Sequence, residues 1–120
     1  MAVVVPALAL DKLGIGKGQY LVALPYEGPD GSRGVEFRLP TPELLSRPEA
    51  RAVRVTDHSR TRRSGRLVRC FRVRIPAEVA RWARIGKGDG LKAELLPDGF
   101  RMVKPEVSPD GFRKVPENLK

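Results

Sequence analysis

Residues 6–24 read PALALDKLGIGKGQYLVAL, and residues 76–94 read PAEVARWARIGKGDGLKAE. Set 70 positions apart without a gap, they share Pro6/Pro76, Ala7/Ala77, Ile15/Ile85, Gly16/Gly86, Lys17/Lys87, Gly18/Gly88, Leu21/Leu91 and Ala23/Ala93. The chain is therefore read as two copies of one small supersecondary unit. A unit of this size cannot bury its own apolar face, whereas two copies can bury theirs against each other.

Working outward from the first copy, Ala2–Val5 is an apolar strand candidate stopped by Pro6. Proline suits the first helical position, because its missing N–H would be unpaired there anyway. Ala7–Leu13 reads as a short helix, with Leu10 and Leu13 on one face. Gly14 fits the left-handed position after a helix. Ile15–Gly18 turns, Gln19–Leu24 is a strand, and Pro29-Asp30-Gly31 marks a long hairpin turn. Val35–Leu39 returns, with Val35, Phe37 and Leu39 on one face.

The second copy is longer at its front. Ala52–Thr56 reads as a strand and Asp57–Gly65 as a polar, arginine-rich loop. Arg66–Ile75 alternates, with Leu67, Phe71, Val73 and Ile75 on one face and Arg72 and Arg74 on the other. Arg69 interrupts the apolar face, which points to an edge, a bulge or a register change. Pro76 opens a helix to about Arg84, with Val79 and Ala83 inward. Ile85–Gly88 turns again, and Leu91–Leu95 and Phe100–Val103 form a hairpin through Pro97-Asp98-Gly99.

These elements divide the chain into a first half-repeat (1–39, lacking a first strand), a Pro-rich linker (40–50, with a helical turn at Pro42–Leu45), a second half-repeat (51–104) and a tail or added strand (105–120). The tail carries an echo: Pro97-Asp-Gly-Phe-Arg101 recurs as Pro109-Asp-Gly-Phe-Arg113. Phe112–Val115 is a candidate for the strand that the first copy lacks.

At 120 residues the chain is one domain or two half-domains, and its longest apolar runs are too short to span a bilayer. No signal-peptide pattern is read at the N-terminus, and the single cysteine, Cys70, has no disulfide mate. A cytoplasmic protein is expected, with no membrane partner.

The net charge of +9 is unevenly placed. Residues 1–50 hold five basic and six acidic side chains; residues 51–120 hold eighteen and eight. Nine arginines, no lysine and one acid (Asp57) fall within 51–74. Such a patch repels itself unless an anion sits against it. Arginine favours forked hydrogen bonds to phosphate or guanine edges.

Other chemistry finds little footing. Gly14–Gly18 lacks the Gly-x4-Gly-Lys-Ser/Thr pattern and follows a helix, so it reads as a turn rather than a phosphate loop. His58, the one histidine, has only sequence neighbours for a triad, which needs members from separate elements. One Cys and one His give no metal set, so neither metal, cofactor nor enzymatic activity is expected. Trp82 is expected to anchor packing between the copies.

The order Arg72-Val-Arg-Ile-Pro-Ala-Glu-Val79, Ile85-Gly-Lys-Gly-Asp89 and Leu95-Leu-Pro-Asp-Gly-Phe-Arg-Met-Val103 resembles the AbrB-type swapped-hairpin family (SpoVT/AbrB and MazE-like domains). The likeness covers roughly 66–104, and more weakly 2–39. It implies a mainly β fold: an interleaved barrel built from two copies, each with one short helix, here an intramolecular pseudo-dimer in place of the usual two chains. It implies DNA binding through a basic first hairpin and the short helix. Arg72 stands where the family has its arginine before the Val-x-Ile-Pro strand, and Arg81 where it often has a basic helix residue. Phe71 replaces a common glycine, the loop is longer and more basic, and Asp11 and Lys12 stand at the first copy's equivalents of Arg81 and Trp82.

The expectation is a DNA-binding protein, sequence-specific or architectural, acting in transcriptional regulation as a pseudo-dimeric monomer or a homodimer. Arg60, Arg62, Arg63 and Arg66 would grip phosphates; Arg72, Arg74 and Arg81 would set register or reach bases, with Arg69 and Arg84 beside them. The alternatives are RNA binding, and an antitoxin-like protein that also holds a protein partner with its C-terminal tail.

Overall fold

The structure, a computed structural model, describes residues 1–105. In chain order it contains β1 (Ala2–Val4), α1 (Ala7–Leu13), β2 (Tyr20–Glu27), β3 (Arg33–Arg38), α2 (Pro42–Leu45), β4 (Arg51–Arg54), β5 (Thr56–Asp57), β6 (Arg60–Thr61), β7 (Leu67–Val68), β8 (Phe71–Arg74), α3 (Ala77–Ala83), β9 (Lys92–Leu96) and β10 (Gly99–Lys104). The fold is mainly β. The suggested added strand at Phe112–Val115 lies outside the described residues.

The repeat is visible in local geometry. α1 and α3 follow Pro6 and Pro76 and end in left-handed residues, Gly14 (φ 64°) and Arg84 (φ 59°). In the turns that follow, the Gly16 N–H donates to Gln19 Oε1 (3.1 Å) and the Gly86 N–H to Asp89 Oδ2 (2.7 Å). Thr41 caps α2 by accepting from the Leu44 N–H.

Three antiparallel sheets form, ordered β1-β8-β5, β4-β2-β3-β10-β9 and β6-β7. In the first, Val3 lies opposite Val73, its own repeat equivalent. In the second, the hairpins meet through their return strands, with Glu36 opposite Arg101. The first hairpin turns through Gly28–Ser32 and the second through Pro97–Asp98, so beyond the turns equivalent residues stand 65 apart rather than 70. Gly34/Gly99, Glu36/Arg101 and Phe37/Met102 are such pairs, and Glu36 thus also faces its own equivalent. An approximate two-fold passes through both sheets.

The two halves interleave. α3 packs on β2 and β3 of the first half, and α1 on β10 of the second. Trp82 bridges them as expected: the Arg33 guanidinium lies 4.6 Å from its ring centroid and Arg33 Nη1 donates to its carbonyl (2.9 Å). The shared core holds Val5, Ala9, Leu21, Val35, Phe37, Val55, Val73, Ile75, Val79 and Ile85, with Phe37 stacked on Phe100 at 5.1 Å. Burying side chains of this size stabilises by about 1.5–3 kcal/mol each. On the opposite face Glu36, only 9% exposed, accepts from Arg38 (3.0 Å) and Arg101 (2.7 Å).

The sheets do not close into the barrel that the resemblance implies. One segment, residues 51–57, crosses between them: β4 pairs with β2, β5 pairs with β8, and Val55 marks the bend. Among the described residues nothing makes the symmetric crossing, so β1 and β9 keep one open edge each.

Candidate nucleic-acid interface

The sequence predicts a loop over Asp57–Gly65 and a strand over Arg66–Ile75 with an irregularity at Arg69. The structure has instead a two-stranded arm, β6 and β7, standing off the core. Its base is locked by polar contacts: the His58 N–H donates to Cys70 O (2.7 Å), the Cys70 N–H to Ser59 Oγ (3.0 Å), and the Ser59 N–H to Asp57 Oδ1 (2.8 Å). The Ser59 hydroxyl and N–H hold the Asp57 carboxyl below its usual range, with Lys17 adding attraction. Arg60 pairs with Val68 and Thr61 with Leu67. The tip turns through an Arg62 N–H to Arg66 O bond (2.8 Å), with Gly65 at φ 83°.

Leu67, expected on the apolar face, is 61% exposed on the arm. The strand breaks at Arg69–Cys70, where the alternation fails, and β8 resumes with Phe71. The register is the same on both sides of the break, Thr56 opposite Arg72 and Arg60 opposite Val68, so Arg69 marks an interruption of the pairing and not the change of register that was one of its readings. The arm owes its form to backbone hydrogen bonds and turn geometry rather than to burial.

The arginines separate into groups. Arg60, Arg62 and Arg63 line a concave surface with His58, Ser64 and Cys70. A second cleft adjoins it through His58 and is lined by Arg54, Thr56, Arg72 and Arg74. Arg60, Arg62, Arg63, Arg66, Arg72 and Arg74 have no carboxylate within ion-pair distance among the described residues. Arg72 Nε is buried without a hydrogen-bond partner among those residues. An unpaired buried donor costs about 1–3 kcal/mol.

Three expected site residues stand elsewhere. Arg69 Nη2 is paired with Asp11 Oδ1 of α1 at 2.9 Å, so it braces the arm against the first half. Arg84 lines a different cleft, with Glu27, Arg33 and Lys104. Arg81, exposed on α3, lines neither arginine cleft. Arg54 joins the second cleft unanticipated; its place in the arginine run was the available signal. No cluster of three His, Cys, Asp or Glu suited to a metal occurs among the described residues, and none of their helices is long and apolar enough to cross a membrane.

Comparison of the chain with protein-family models, curated proteins and solved structures finds no match.

Proposed function

We propose that this chain is a cytoplasmic DNA-binding protein of the swapped-hairpin type, a pseudo-dimer within one polypeptide that acts in transcriptional regulation. The observation that carries the reading is the continuous arginine surface from the arm tip to β8, without carboxylate partners among the described residues. Arg60, Arg62, Arg63 and Arg66 on the arm contact phosphates along one groove edge. Arg54, Arg72 and Arg74, on strands fixed by the core, set the register, since phosphate contacts position and base contacts specify. Residues 1–50 hold five basic and six acidic side chains against nine arginines and one acid in 51–74, so the interface is one-sided.

Fluorescence anisotropy of the full chain with a random DNA duplex across a salt series tests this. Log affinity is expected to fall against log salt with a slope near −5, for about six neutralised phosphates. No binding at low salt overturns the proposal. Preferential competition by structured RNA of equal charge would transfer the surface to RNA.

A further inference from the structure

The internal two-fold marks a place for a strand. Arg51–Asp57 closes the seam between β2 of the first half and β8 of the second, and its buried Val55 accepts from the Gly18 N–H (3.0 Å) and donates to Gln19 O (2.8 Å). The two-fold carries Gly18 to Gly88, Gln19 to Asp89, β2 to β9 and β8 to β1. At that seam the Gly88 N–H and the Asp89 carbonyl have no backbone partner among the described residues. A cleft opens there, lined by apolar Ala2, Val3, Ile85 and Leu91, with Arg72 and Lys87 at its border. Unpaired strand edges beside an apolar cleft accept an added strand.

We propose that this chain's own residues 106–120 fill the seam, with Phe112–Val115 as an added strand pairing with β9 and β1. Three observations choose this occupant. First, the chain leaves β10 beside the seam, where Lys104 Nζ lies 3.3 Å from Asp89 Oδ2. Second, the distances suffice. Pro105–Gly111 extends to about 23 Å, against about 10 Å from β10 across β9. The first half makes the analogous crossing through 39–50, from the end of β3 to the outer edge of β2. Third, the string Pro-Asp-Gly-Phe-Arg occurs twice in the chain. At 97–101 it forms a turn and then enters β10 at Gly99. At 109–113 the same string spans the start of the proposed strand. Pro116 then ends the strand, because it has no N–H to give the ladder.

Arg72 borders both this seam and the second arginine cleft, so the test reads the seam by amide exchange and not through DNA affinity. Amide hydrogen exchange of the full chain, resolved by residue, tests it, with Gly18 reporting on the integrity of the fold. Gly88 and the amides of 112–115 are expected to be protected. Phe112→Asp combined with Val115→Asp is expected to speed Gly88 exchange about tenfold or more while Gly18 stays protected. A Gly88 amide exchanging freely in the unaltered chain overturns the proposal. So does Gly88 protection that survives the double substitution. Protection that grows with protein concentration overturns it too, giving the seam to a second copy.

Discussion

Gly34 and Gly99 are each other's counterparts, and each lies against the backbone of the other's strand. A Cβ on Gly34 would strike the Met102 carbonyl oxygen, and one on Gly99 the Phe37 carbonyl oxygen, closer than real Cβ atoms approach. Both obstacles are backbone atoms of the central β3–β10 ladder and cannot rotate away. Gly34→Ala and Gly99→Ala are each expected to cost about 3 kcal/mol or more, read from urea midpoints. A change near zero at either position would place the ladder in another register.

Arg84 is the one non-glycine residue with positive φ among those described, at 59°, where the first copy has Gly14 at 64°. Left-handed backbone costs an L side chain roughly 1–2 kcal/mol. Arg84→Gly is therefore expected to raise stability by up to about 1 kcal/mol, after the entropy that glycine adds to the unfolded chain. Thermal melting checks this. DNA affinity measured on the same variant shows whether the side chain, which lies off the arginine clefts, touches the duplex.

Asp89 supplies a pH dependence. The Gly86 N–H and then Lys104 hold its carboxyl below the ordinary value of 3.8. A depressed folded value means that the carboxylate's contribution is present above the unfolded pKa and is lost as pH falls through the folded one. Stability should therefore drop as pH falls below about 5 and through the folded values, less steeply in Asp89→Asn, where only Asp30 and Asp57, lowered in the same direction, still contribute. Parallel curves for the two proteins would mean that the Gly86 contact does not form.

On the arm, Arg62→Ala with Arg63→Ala removes two charges far from the core. The salt slope of DNA binding is expected to become shallower by about two, with stability unchanged within about 0.5 kcal/mol. Arg72→Ala should weaken binding by about 1–3 kcal/mol, selectively for preferred sites if it reads a base and uniformly if it holds a phosphate.

The helices, the two turns and the inward pair Val79 and Ala83 were legible because they rest on local rules repeated at one spacing. The meeting of β3 with β10 was not, because pairing between distant strands leaves no local pattern. The Gly34–Gly99 equivalence was hidden by the unequal hairpin turns, which shift the spacing from 70 to 65. β6 was misread as part of a loop because it is short and lies in a polar, arginine-rich run without apolar alternation, whereas β7 fell within the strand expected over Arg66–Ile75. Arg69 gave a true signal of a break, but its partner Asp11 lies 58 positions away and no local rule points to it.

Residues 39–50, which join β3 to β4, tie the two interleaved halves into a single chain. Their encounter is first-order, at an effective concentration of the order of millimolar for a short tether, however dilute the protein. Covalent joining also frees each half from having to match the other. A dimer of identical chains must wear any mutation twice, but here one half carries the arginine arm while the other keeps an acid in the corresponding helix. A surface made in this way has a front and a back, and any partner it meets is met in one orientation only.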